Sequence, residues 1–200
     1  MAEEKNYRAS TGVDEFYYGK GLEGKTVNAI ERVKFLQNIN VEMTSEVVRA
    51  YGDNTTAEMA VANGDVTVTS QFHKIPLEDK AYLLGWETND GLVGTGSGDN
   101  PPYVPVIFAK TFEDGSREYV GLPKGIFTRP NITGQTKEGG TVEFSNEEIV
   151  AQFMDREVDG FDKAQSVVFA SDGPGETTNR DALFQKIFGK VYPGETPEGA

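Results

Sequence analysis

Cysteine is absent from the 200 residues, and histidine and tryptophan each appear once, at His73 and Trp86. Without thiols the chain has no disulfide staple, no thiolate zinc site and no cysteine nucleophile. One histidine excludes a multi-histidine metal site and allows a Ser–His triad only through His73 itself. Positive charge is scarce as well: 19 Lys and Arg face 32 Asp and Glu, a net charge of −13. Both halves share the deficit, with 9 basic and 16 acidic residues in 1–100 and 10 and 16 in 101–200. Neither half offers the basic footprint that reading of DNA or RNA requires. No run approaches the roughly eighteen apolar residues of a membrane-crossing helix, and the polar opening MAEEKNYRASTG lacks the pattern of a secretory signal. Synthesis in a reducing cytosol is the expectation, where the sequons at Asn54 and Asn131 carry no sugar.

A hydrophobic content of 37% still supplies one core at this length. Val13–Tyr18 is a short aromatic strand stopped by Gly19, Gly21 and Gly24. In 33–43, Val33, Phe35, Ile39, Val41 and Met43 share one parity against Lys34, Asn38, Asn40 and Glu42, which predicts one strand with a buried and a wet face. Val66, Val68 and Phe72 alternate with Thr67, Thr69 and Gln71, and a third alternation runs through Val104, Val106, Phe108 and Phe112. Arg117–Thr128 follows the hairpin signal Asp114-Gly115. Residues 141–153 read as a strand whose apolar parity changes near Ser145-Asn146-Glu147, so a bulge is expected there. A last strand is expected over 158–170, entered through the turn at Asp159-Gly160. Two helices interrupt the strands. One runs from Pro76 to Gly85 and docks on the sheet through Leu77, Ala81 and Leu84; the other runs from about Asn179 to Phe188, with Thr178 as N-cap and Gly189 as its stop. The result is a mainly β chain, an antiparallel β-sandwich or open barrel with one or two short flanking α-helices. One domain over 13–192 is expected, between a flexible arm at 1–12 and a loose tail at 193–200. Segment 86–102 is a long connection, of the kind that is functional or mobile.

The motifs that could carry chemistry lack their contexts. Gly94-Thr-Gly96-Ser-Gly98 is followed by Asp99, Asn100, Pro101 and Pro102, where a phosphate cradle needs a helix N-terminus. Asp155, Glu157 and Asp159 open like a calcium loop, but its twelfth position is Ser166, where a bidentate glutamate belongs. His73 ends an alternating strand with no clustered second ligand. Acidic pairs such as Glu147-Glu148, Glu78-Asp79 and Asp14-Glu15 are expected by chance among 32 acids, and the solitary Trp86 argues against a carbohydrate cleft. No cofactor, metal or catalytic set is expected, and the function is expected to lie in the protein's surfaces.

The opening STGVDEFYYGKG, the stretch VVRAYGDNTTAEMAVANGDVTVTSQFHKIPLEDKAYLLGW, the segment DNPPYVPVIFAKTFEDGSREYVGLPKGIFTRP and then QTKEGGTVEFSNEEIVAQFM resemble, in that order, the major tail proteins of long, flexible-tailed (siphovirus) phages. The clearest matches are Thr11-Gly12-Val13-Asp14, Pro76-Leu77-Glu78-Asp79, Leu83-Leu84-Gly85, Pro101-Pro102-Tyr103-Val104 and Thr136-Lys137. The resemblance implies two packed antiparallel sheets with a helix at the side, and homo-hexameric rings whose inner sheets join into one barrel. The rings stack into a tube through which double-stranded DNA transits without specific binding. It also implies a virion component made in the host bacterial cytoplasm, with a tail-tip initiator, a tape-measure protein and a tail terminator as partners and no membrane. Strand edges that would aggregate in a monomer become useful when copies pair them, and an acidic lining lets phosphates slide. Asn38, Asn40, Glu42, Glu143 and Glu147 are the candidate lumen-facing residues. The long connections 53–63 and 86–100 are the candidate ring-stacking loops, through Asp53, Asn54, Glu58, Asn63, Asn89, Asp90 and Asp99, and residues 1–12 are expected to order on assembly. The competing readings are a monomeric carbohydrate- or ligand-binding β-sandwich module and an acid–base glycosidase.

Overall fold

The computed structural model of the chain describes residues 7–52, 55–132, 134 and 146–194, with the side chains of 52 and 55–57 left aside. The aromatic run in β1 (Ser10–Lys20) is buried on both faces, Phe16 and Tyr18 in one core cluster and Tyr17 in another. A run of bulky residues without alternation fits a strand covered on both sides. β1 pairs antiparallel with β2 (Ala29–Val33) and with β7 (Val104–Phe112). Between Asp14 and Tyr17 it carries one residue more than β7, a bulge that holds Glu15 at φ +57°.

The remaining strands extend this sheet in the order β2-β1-β7-β8-β9-β4-β3, with β8 at Arg117–Phe127, β9 at Glu147–Phe153, β4 at Thr55–Phe72 and β3 at Leu36–Gly52. All pairings are antiparallel, and β10 (Val168–Asp172) pairs with β8 off the main path. The sheet folds over itself. Phe16, Tyr18, Val106, Phe108 and Leu122 from β1, β7 and β8 meet Val66, Val68, Phe72, Ile149 and Phe153 from β4 and β9 in one cluster. The helix α1 (Leu77–Leu84) closes that cluster through Leu83 and Leu84 and ends at Gly85 in the left-handed conformation. A second cluster lies beneath α2 (Thr178–Phe188), where Leu183, Phe184, Ile187 and Phe188 cover Tyr17, Ile107 and Tyr119. The chain is a mainly β, antiparallel sandwich with two flanking helices.

Four local expectations are corrected. The strand over 33–43 is broken: the chain turns at Lys34-Phe35, with Phe35 at φ +65° and 71% exposed, and Leu36 takes the inward place. Residues 158–170 are not one strand, because Gly160 turns at φ +88° and only Val168 onward joins the sheet. The connection 86–102 contains a small hairpin, β5 (Glu87–Asn89) and β6 (Leu92–Gly94), turned by Asp90 and Gly91 at positive φ. The α2 N-cap position is Thr177 rather than Thr178, and the first helical N–H groups are met from outside by the buried Asp172 carboxylate, at 3.0 Å from Asn179 and 2.8 Å from Arg180. The expected bulge near 145–147 and the strand residues 141–145 lie at or outside the edge of the described residues, as do 1–6 of the arm and 195–200 of the tail.

Candidate assembly surfaces

The strand parity that buries Val66, Val68, Ile149, Ala151 and Phe153 turns the intervening residues outward. Register places Asn38, Asn40 and Glu42 of β3 beside Gln71, Thr69 and Thr67 of β4, and those beside Glu148, Val150 and Gln152 of β9. Apart from Val150 the nine side chains are polar, with two carboxylates, Glu42 and Glu148, and no Lys or Arg. Gln71 Nε2 donates to Glu148 Oε2 at 2.9 Å across it. Of the expected lining residues, Asn38, Asn40 and Glu42 share this face, and Glu143 lies outside the described residues. Glu147 does not belong to it. It has the parity of Ile149, and its carboxylate accepts the Ile75 N–H at 2.7 Å and the Lys80 ammonium at 2.8 Å, joining β9 to the entry of α1. Burial opposes ionisation of Glu147, but those bonds outweigh it and hold its carboxyl below the usual range. Glu148, missed in the sequence, was readable from the same inward parity of Ile149, Ala151 and Phe153.

Residues 55–63 of the expected loop 53–63 belong to a strand, the start of β4. β9 covers β4 only over Val66–Phe72. Beyond that, β3 and β4 continue as a two-stranded ribbon, paired through Ser45↔Asn63, Val47↔Val61, Arg49↔Met59 and Tyr51↔Thr56. Register shifts at its base, between Met43 and Ser45, where a Cβ on Gly64 would lie 2.4 Å from Thr44 Oγ1. The ribbon leaves large apolar side chains exposed, among them Val47, Val48, Tyr51, Met59 (67%) and Val61 (65%). Val47 and Val48 are adjacent, so both faces are apolar. A ribbon of this kind has too little buried surface to be stable by itself, and exposed apolar patches of this kind mark interaction sites. Glu58 and Asn63 stand in this ribbon, and Asp53 and Asn54 are outside the described residues. Among the described residues the sheet ends in two edges, β2 and β3, that no further strand pairs.

The other expected contact residues separate. Asn89 and Asp90 sit at the turn of the β5–β6 hairpin, beside the exposed Leu92. Asp99 is turned back on its own loop: it accepts Thr95 Oγ1 at 2.8 Å, the Gly96 N–H at 2.9 Å and Arg129 Nη2 at 2.9 Å, bonds that keep its carboxyl below the usual range. Ala81 and Leu84 are buried against the sheet, whereas Leu77, in the first turn, is half exposed and Leu83 fills the inward place instead. α1 is also held by polar contacts: Tyr18 Oη donates to Asp79 at 2.6 Å, and Tyr82 Oη accepts the Gly21 N–H at 2.6 Å. A cavity of about 620 Å³ lies between α1 and the β5–β6 hairpin, walled by Leu77, Tyr82, Trp86 and Leu92. Another of about 550 Å³ is bordered by Glu15, paired with Arg117, and by Arg180, stacked 3.6 Å over the Tyr192 ring. His73 is a surface residue, with Gln37 Nε2 3.0 Å from its ring nitrogens.

A family model for phage tail tube proteins matches residues 34–194, from just before β3 to beyond α2. Among curated proteins nothing matches the chain.

Proposed function

The chain belongs to the phage tail tube protein family, structural components of the virion that assemble with themselves and other tail proteins, and from that premise we propose that it closes into hexameric rings which stack into a DNA-conducting tube. The observation that carries this reading is the β3–β4 ribbon, which leaves the sheet with apolar side chains on both faces that no other described residue covers. A ring built head to tail needs two different patches that match, and the two free sheet edges supply backbone donors and acceptors for neighbouring copies. The ribbon then reaches the next ring and buries its apolar faces there, with the β5–β6 hairpin and the segment before β1 as further stacking contacts. β1 begins its pairing at Ser10, so the part of that arm left for assembly is the stretch before it.

The polar face of β3, β4 and β9 is the channel lining in this reading. Its amide and hydroxyl groups hydrate the wall, and Glu42 and Glu148 repel phosphates where Lys or Arg would hold them. The tail-tip initiator, tape-measure protein and terminator set where the tube begins and ends. Negative-stain microscopy of the purified chain at rising concentration tests the proposal. Rings or tubes of uniform width are expected. Small monomers at every concentration would overturn it and favour a ligand-binding β-sandwich module.

A further inference from the structure

Arg156, which follows β9, is 8% exposed. Its Nη2 donates to the Ile187 carbonyl at 2.8 Å and the Lys186 carbonyl at 3.2 Å, closing the C-terminal end of α2. Its Nε and Nη1 are buried and meet no acceptor among the described residues. Donors of a buried cation without acceptors are unfavourable until something answers them. The same side chain borders a cavity of about 180 Å³ together with Leu22, Gly24, Tyr103 and Lys124. The Lys124 ammonium lies 4.2 Å from the centre of the Tyr103 ring, a second cation at the same opening. Asp159, the carboxylate whose field reaches Arg156, is itself exposed and bonded to Lys25 at 2.6 Å.

We propose that this cavity receives a carboxylate side chain of a second copy of the chain. Two cations, an aromatic wall and the aliphatic Leu22 suit a flat anion on an alkyl stem, and a chain with 32 Asp and Glu presents such groups throughout its surface. The position points to a like copy. The Lys124 carbonyl accepts the Met154 N–H one residue beyond the row Gly125↔Phe153↔Val66, and Val66 is where β4 loses β9 and the exposed ribbon departs. A neighbour that covers the ribbon therefore meets this end of the sheet too. The proposal rests on the ring-and-tube reading and names one contact within it.

Zero-length carbodiimide cross-linking of assemblies grown from mixed light and heavy isotope-labelled chains tests it. An amide between Lys124 and an Asp or Glu of the other isotope is expected in assemblies and not in dilute monomer. Lys124→Glu is expected to keep the thermal unfolding curve and raise the concentration needed for assembly by about tenfold or more, while Lys124→Arg assembles normally. Assemblies that form with no intermolecular amide at Lys124, and with Lys124→Glu behaving as wild type, overturn this contact and leave the tube reading standing. Wild-type chain that never associates overturns both. Duplex DNA binding by the monomer that Lys124→Glu abolishes assigns the cavity to phosphate and overturns the carboxylate.

Discussion

The Glu147 carboxylate sits 2.8 Å from the Lys80 ammonium and also accepts the Ile75 N–H, so one side chain joins the start of β9 to the flank of α1. Its folded pKa lies below the ordinary carboxylate value, so the stabilisation is present above about pH 4.5 and is lost as pH falls through the folded value. Glu147→Gln keeps the shape and removes the charge. It is expected to cost about 1 kcal/mol at pH 7, discounted for partial exposure, and less at pH 3, where more of the carboxyl is protonated. Urea unfolding at the two pH values measures the difference; equal losses at both would show that the charge contributes nothing.

Glu42 and Glu148 are the carboxylates of the polar face. Replacing both with Lys is expected to leave folding intact, since both are exposed. It should make assembled tubes retain DNA in a way that weakens steeply as salt rises. Infection by phage carrying the double variant should slow at the ejection step. Ejection at the wild-type rate, with no DNA retention at low salt, would place this face away from the channel.

Glycine at 121 lets α2 lie against β8: an added Cβ would come within 2.8 Å of Ile187 Cγ1 and 3.1 Å of Leu183 Cδ1. Gly121→Val is expected to destabilise the fold by about 2 kcal/mol through overpacking. The loss should appear as a lower denaturation midpoint with near-UV signal lost from the aromatic cluster around Phe184. A midpoint equal to wild type would mean that α2 is not part of the cooperative unit.

Strand parity made most of this fold legible. Val66, Val68 and Phe72 against Thr67, Thr69 and Gln71 give β4 and its polar face, and Leu183, Phe184, Ile187 and Phe188 give the buried side of α2. Where the chain leaves ideal geometry, the pattern fails. Phe35 is apolar and of inward parity, but its positive φ swings it into solvent. Glu147 and Glu148 are chemically alike, and only their registers opposite Phe72 and Gln71 separate a tie to α1 from a wall residue. The ribbon was harder still. Its exposed Val, Met and Tyr read locally like any strand or loop, because the surface that would bury them belongs to no residue of the same sheet. Asp172 capping α2 from β10 was invisible for a related reason: the cap comes from another element, not from the helix's own start.

Val47 and Val61 face each other across the ribbon, both more than half exposed among the described residues. Val61→Asp therefore has little to lose in the isolated chain, and its unfolding free energy is expected to stay within about 0.5 kcal/mol of wild type. Assembly is different. If each copy buries this side chain on a neighbour, replacing it with a charge forfeits about 1.5 kcal/mol of apolar transfer per copy and adds the desolvation of a carboxylate. That amounts to at least about a tenfold rise in the concentration at which rings or tubes appear. Sedimentation velocity across a concentration series reads both states in one experiment. A variant with wild-type assembly would show that the ribbon's apolar face stays in solvent, and the stacking contact would then have to come from the β5–β6 hairpin or the segment before Ser10.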